Sequence, residues 1–194
     1  KTKKSVLWCA ASTHHSEEFF CAKTHILLKK KIDNILTIII PRHTNRVKKI
    51  EKDLSKLNLK ICFYSQIEKM SSDVDILLID TYGEVEKFYN ISKCIFLGKS
   101  LIKSLIKDSG QNPIEPARLG RKVFHGPYVS NFSEIYDYLK SIDIASEVNT
   151  PENLSQFITE EFNKNFNENP QIIKKIDDYG KNILNNVMKE LKEY

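Results

Sequence analysis

The 194 residues predict an α/β fold whose sheet is parallel and doubly wound, and three observations lead there. Short runs that are apolar throughout, such as "SVLWCAAS" (5–12) and "NILTIIIP" (34–41), alternate with longer amphipathic segments. These runs lack the in–out alternation of a half-exposed sheet, so both of its faces must be covered by helices. No internal repeat or low-complexity linker interrupts the pattern, so one Rossmann-like domain accounts for most of the chain.

The elements follow in order. After the strand at 5–12, "EEFFCAKTHILLKKK" (17–31) predicts a helix, and 34–41 a second strand favoured by its Ile and Thr content. "NRVKKIEKDLSKLN" (45–58) repeats Val47, Ile50, Leu54 and Leu57 at helical spacing. Strands are expected at 59–65, 74–81 and 93–100, with a short helix near 84–90. "NPIEPARLG" opens another short helix, followed by a strand at 122–127, a helix at 130–141 and a brief strand at 143–148. Thr150, Pro151 and Glu152 give a capping start to a helix over 150–164. "NFNENP" (165–170) is a polar hinge before a last helix at about 171–193, whose apolar face is Ile172, Ile173, Ile176, Ile183, Leu184, Val187 and Leu191. Residues 1–169 are thus expected to form the domain. Residues 170–194 form a terminal helix that packs on it or crosses to another domain.

Composition bounds the function. The chain is 41% hydrophobic and 28% charged, ordinary for a soluble globular domain, and its net charge of +5 suits an anionic partner. Much of that excess is scattered lysine, which also suits a solvated surface. Cys9, Cys21, Cys62 and Cys94 sit in apolar runs without Cys-x-x-Cys spacing, so buried free thiols and a reducing compartment are expected. No apolar stretch reaches the roughly 18 residues of a membrane span. A soluble, cytoplasmic chain is the expectation.

In open parallel sheets, ligands bind outside the carboxyl ends of the strands. There the sequence places "STHHSEE" (12–18), "PRHTNR" (41–46), "DTYGE" (80–84), "GKS" (98–100) and "SGQNPIEP" (109–116). Together they offer glycines and helix-start amides for an oxyanion, Arg42 for charge, and Glu84 and Glu115 as acceptors for hydroxyls. A nucleotide presents that mixture. Pro113 and Pro116 fix the backbone on either side of Glu115, which suggests a carboxylate placed before its ligand arrives.

Each piece alone has a plainer reading. "STHHSEE" is equally an N-cap followed by acids that suit a helix dipole, and "DTYGE" also reads as a simple turn. His14 and His15 lack partners at metal-ligand spacing, so no metal is expected. Ser12, His14 and Glu17 could be arranged as a hydrolase triad, but no Gly-x-Ser-x-Gly elbow is present. No Gly-x-Gly-x-x-Gly follows the first strand, which disfavours a dinucleotide dehydrogenase.

"AASTHHSEE", "IIIPRHTNR", "LLIDTYGEVEKFY", "CIFLGKSL", "GQNPIEPARLGRKVFHGP" and "SNFSEI" occur in an order that resembles the carboxyl-terminal half of 3-deoxy-D-manno-octulosonic acid (Kdo) transferases. The resemblance implies a GT-B glycosyltransferase, in which two Rossmann-like domains face each other and the carboxyl-terminal one binds the donor, CMP-Kdo. It implies donor contacts from Pro41 and Arg42, from Tyr82, Gly83 and Glu84, and from Asn112 and Glu115. Glu115 would receive the ribose, and the helix start at Asn112 would face the phosphate. Ser12, His14, Gly98 and Ser100 are further positions implied to touch the donor.

The sequence departs from the family where Gly-Gly-Ser becomes Gly98-Lys99-Ser100, where Leu101–Ser109 is longer, and where Gly-Gly-His-Asn becomes Ser109-Gly110-Gln111-Asn112. The family's Thr-His-Glu-Gly-Glu-Glu stretch becomes Thr13-His14-His15-Ser16-Glu17-Glu18. The resemblance further implies a lipid A precursor as acceptor, a role in lipopolysaccharide biosynthesis and a place at the cytoplasmic face of the bacterial inner membrane. It puts the general base, the acceptor surface and the membrane anchor in an amino-terminal half. No catalytic residue is therefore expected here, no cofactor beyond the substrate, and no transfer by this chain alone. A donor domain for a UDP-sugar is the alternative. A non-enzymatic module binding nucleic acid or anionic lipid is disfavoured, because aromatic and basic residues do not interleave.

Overall fold

A computed structural model describes residues 6–164 and 170–190. Seven strands form one sheet: β1 (Val6–Thr13), β2 (Ile35–Pro41), β3 (Ile61–Phe63), β4 (Ile76–Leu78), β5 (Cys94–Leu97), β6 (Lys122–His125) and β7 (Ala145–Glu147). Their order is β3-β4-β2-β1-β5-β6-β7, and every pairing is parallel. The helices are α1 (Glu17–Lys29), α2 (Val47–Ser55), α3 (Val85–Ile91), α4 (Ile114–Arg118), α5 (Ser133–Ser141), α6 (Pro151–Asn163) and α7 (Pro170–Glu190). The α/β doubly wound class is as the sequence predicts.

The period of two in the strands divides the core. Cys9, Ala11, Leu36, Ile38, Ile40, Leu77, Ile95 and Leu97 point to the face covered by α3, α4, α5 and α7. Trp8, Ala10, Ile35, Ile39, Ile76, Leu78 and Phe96 point to the face covered by α1, α2 and α6. Each large side chain buried this way contributes about 1.5–3 kcal/mol, and those contributions must offset the entropy of ordering the chain. The chain crosses from one face to the other through α3, which carries it from β4 over β1 to β5. The change of direction between β1 and β5 is where a ligand crevice belongs.

Several boundaries differ from expectation for local reasons. α2 starts at Val47, because Thr44–Arg46 forms a 3-10 turn, and α5 starts at Ser133 after another at Ser130–Phe132. β4 is three residues long. The flanking Asp75 and Asp80 also bind the amides of Lys60 (2.8 Å) and Ser65 (2.9 Å) through their carboxylates, while the Asp75 carbonyl accepts from the Thr37 amide of β2 at 3.1 Å. α6 begins as predicted: Thr150 Oγ1 accepts from the Asn153 amide at 3.2 Å, with Pro151 at the first helical position.

All four cysteines are free, and Cys9, Cys21 and Cys94 are buried. Cys62 corrects the expectation of burial. It lies on the edge strand β3 and is half-exposed, its thiol donating to Phe63 O at 3.4 Å. Along its described side chains, α7 lies against α4 and α5. Arg118 Nε meets Asp177 Oδ1 at 2.7 Å, Tyr138 stacks on Tyr179 at 4.0 Å, and Ile176 is fully buried. The hinge at 165–169, Leu191, and the side chains of Ile172, Ile183, Leu184 and Val187 lie outside the described residues. Among the described residues no helix is long and apolar enough to cross a membrane.

Candidate functional site

At the switch point the structure reveals a brace that the sequence did not announce. Glu17, the first residue of α1, is fully buried. Its Oε2 accepts from the amides of His14 (2.9 Å) and Lys99 (2.7 Å), and its Oε1 from those of Ser100 (2.9 Å) and Leu101 (3.0 Å). One carboxylate therefore ties the loop after β1 to the loop after β5, using acceptor sites on both oxygens. The fit is close. A Cβ on Gly98 would lie 2.5 Å from Ser12 O and 2.7 Å from Glu17 Oε2.

This brace corrects one expectation. The amides that follow β5 are occupied by the protein's own carboxylate and are not open to an oxyanion. Ser100 is fully buried, its hydroxyl donating to Leu97 O (2.6 Å) and accepting from the Gly126 amide (2.8 Å). Gly98 is packed against the end of β1. Both residues hold the loop together, and their own groups face inward. Glu17 and Glu18 are likewise not mere helix-dipole acids. Glu18 pairs with Arg46 at 3.0 Å and accepts from the Thr13 hydroxyl at 3.2 Å. Burial raises the Glu18 carboxyl above its ordinary range, and Arg46 opposes that rise.

The other expected residues remain at the carboxyl edge. Ser12 has a left-handed backbone (φ 54°) within the bulge of β1, and its carbonyl accepts from His14 Nδ1 at 3.1 Å. Burial holds the His14 imidazole below its usual range. Pro41 ends β2 and is buried, whereas Arg42 is exposed. The Arg42 amide donates to Thr13 O at 2.9 Å, so its backbone is anchored. Its guanidinium makes no hydrogen bond or ion pair among the described residues. Tyr82, 76% exposed, and Gly83 (φ 82°) form the turn after β4, and Glu84 precedes α3 with its carboxylate 3.3 Å from Lys87 Nζ.

A cleft of about 430 Å³ opens between α3, α4 and α7, lined by Glu86, Asn112, Ile114, Glu115, Arg118 and Asp177. Asn112 Oδ1 accepts from the Ile114 amide at 3.0 Å, so Asn112 itself makes the turn into α4. Glu115 is exposed in the first turn of α4, with no hydrogen bond or ion pair among the described residues. The structure therefore brings Asn112 and Glu115 into one cleft. Glu84 stands just before one of its walls, and Arg42 lies outside the lining, on the next loop.

A second cleft, about 310 Å³, lies between α1 and α2, floored by Phe19, Ile50 and Leu54. Two of its charged pairs, Arg46–Glu18 and Lys56–Asp53, are already internally matched. Among the described residues no cluster of three His, Cys, Asp or Glu side chains could hold a metal ion.

No protein-family model matches the chain. In sequence it is 33% identical over 144 residues to a 3-deoxy-D-manno-octulosonic acid transferase of Haemophilus influenzae, covering 74% of this chain and 33% of that protein. It is 31% identical over 178 residues to a bifunctional glycosyltransferase/methyltransferase of Fusobacterium nucleatum, covering 84% and 27%. The chain thus spans a third or less of the length of these relatives. In structure it is similar to the C-terminal CMP-Kdo binding domain of WaaA from Acinetobacter baumannii, with a TM-score of 0.75 and 21% identity over 94% of this chain and 91% of that one. By sequence the chain is a relative of the 3-deoxy-D-manno-octulosonic acid transferases, and it shares its fold with the CMP-Kdo-binding domain of WaaA.

Proposed function

We propose that this chain is the donor-binding part of a Kdo transferase and that it holds CMP-Kdo through the cytidine monophosphate. One observation carries the reading. Arg42 and Glu115 are exposed and uncommitted, while Glu17, Glu18, Arg46, Asp80, Glu84 and Lys99 around them all have protein partners. An anchored, unpaired guanidinium suits a phosphate, and an unpaired carboxylate on a turn bounded by prolines suits the two hydroxyls of a ribose. The turn of Tyr82, Gly83 and Glu84 lies between them in the chain, where a base or sugar edge could rest.

The full enzyme would transfer Kdo to a lipid A precursor in lipopolysaccharide synthesis, at the cytoplasmic face of the inner membrane. The general base and the acceptor surface would come from a second domain. The nucleotide grip needs no metal or other cofactor, since cation and hydroxyl acceptors are side chains of the chain itself. Calorimetric titration of the 194-residue chain with CMP, UMP and UDP tests the assignment. Binding of CMP in preference to both uridine nucleotides is expected. A preference for UMP or UDP would point instead to a UDP-sugar enzyme.

A further inference from the structure

One cation at the switch point is not used by the nucleotide grip. Lys99 sits between Gly98 and Ser100 with a left-handed backbone, φ 57°. A side chain with a Cβ is disfavoured there, and a long cationic one gains nothing from the short local hydrogen bonds that help Asn or Asp. Of the six described non-glycine residues with positive φ, Ser12, Ser16 and Lys99 flank Glu17. The Lys99 amide shares Glu17 Oε2 with the His14 amide, which sets the two residues side by side across the crevice. Its side chain is only 18% exposed, and its ammonium lies 2.8 Å from Asp108 Oδ2. Asp108 is 73% exposed and takes a second bond from Asn131 Nδ2 at 2.7 Å. The ammonium is therefore held at the crevice mouth by an exposed carboxylate, a partner that another carboxylate can replace.

Lys99 follows β5 and Arg42 follows β2, so the two cations stand on either side of the end of β1. Two strand spacings separate their backbones, roughly 10 Å. A CMP-linked octulosonic acid presents two anionic groups, because its carboxylate is bonded to the same carbon that bears the phosphoester oxygen. We propose that Lys99 recognises the carboxylate of the donor sugar, replacing Asp108 as its partner, while Arg42 meets the phosphate. Lys99 is then a specificity residue that separates the loaded donor from the spent nucleotide. This assignment rests on the reading of the site as a cleft for CMP-Kdo.

The test is competition of CMP and of freshly prepared CMP-Kdo against a fluorescent CMP analogue, on wild type, K99G and K99M. Glycine accepts the backbone conformation of Lys99, so K99G should melt no lower than wild type. K99M removes the charge while keeping the bulk. In both variants CMP affinity is expected within twofold of wild type, and CMP-Kdo affinity is expected to fall about tenfold or more. Equal losses for the two ligands would place the ammonium on the phosphate and overturn the carboxylate assignment. Wild-type affinity for both ligands would reduce Lys99 to a brace for the 103–108 loop and overturn it too. A wild-type chain that binds neither ligand would fell the donor-site reading itself, and Lys99 with it.

Discussion

Glu17→Gln should unpin the switch point. In the native carboxylate each oxygen accepts two backbone amides, His14 with Lys99 and Ser100 with Leu101. Glutamine keeps one acceptor oxygen and turns an NH₂ group toward the other pair, so in either orientation two amide donors face a donor. Each donor left without an acceptor costs about 1–3 kcal/mol, which puts the loss near 4 kcal/mol for the pair. A chain of this length loses about 2–4 °C of Tm per kcal/mol, so Tm should drop by roughly 12 °C. The contacts span 82 to 84 positions, so the loss should also loosen the loop after β5, read as faster amide exchange at Lys99, Ser100 and Leu101. Thermal melts followed by circular dichroism, with hydrogen exchange on the same samples, supply both readouts. A Glu17→Gln variant that melts within 2 °C of wild type (about 1 kcal/mol or less) and protects those amides equally would refute the bracing role.

Other substitutions probe neighbouring parts of the site. Gly98→Ala should destabilise strongly, by more than about 3 kcal/mol, because the new Cβ meets Ser12 O at 2.5 Å and Thr13 Cα at 2.7 Å; near-native stability in urea would mean that these loops can part. His125 is buried, its Nδ1 donating to Gly126 O (2.6 Å), and burial pushes its pKa from 6.5 down to about 4. The unfolded chain therefore takes up the proton first as pH falls, so stability is full above about pH 6.5 and declines toward pH 4. His125→Asn should lower the slope of stability against pH in that window by up to about 1.4 kcal/mol per pH unit, and an unchanged slope would contradict it. Arg42→Ala should weaken CMP binding about ten- to a hundredfold, whereas Lys52→Ala, on the exposed face of α2, should not. Glu115→Gln should weaken CMP binding by a similar factor without lowering Tm, since Glu115 has no hydrogen bond or ion pair to lose among the described residues; lower stability with unchanged affinity would make it scaffolding.

Strands and helices were legible because their signal is local. The apolar run from Val6 to Ala11 shows its two-faced burial residue by residue, and Val47, Ile50 and Leu54 lie at helical spacing. The brace was not legible. Glu17 after "STHHS" fits an acid at a helix start, and nothing near it points to amides more than 80 residues away. Arg42 and Arg46 look alike in "PRHTNR", yet the turn at Thr44–Arg46 sends Arg46 inward to Glu18 and leaves Arg42 outside. The left-handed backbone of Lys99 is set by its amide bond to Glu17 and by its carbonyl accepting from Gly110 at 2.8 Å, both tertiary contacts. The backbone restraint around Glu115 is legible because it is covalent, in the flanking prolines.

An amide-resolved NMR titration of the ¹⁵N-labelled chain with CMP tests where the nucleotide sits. Shift changes are expected at Arg42, Gly83, Glu84, Asn112 and Glu115, with the cleft between α1 and α2 silent. Changes confined to His15, Phe19, Lys49 and Ile50, with none at Arg42 or Glu115, would move the nucleotide to that other cleft and contradict the donor site described.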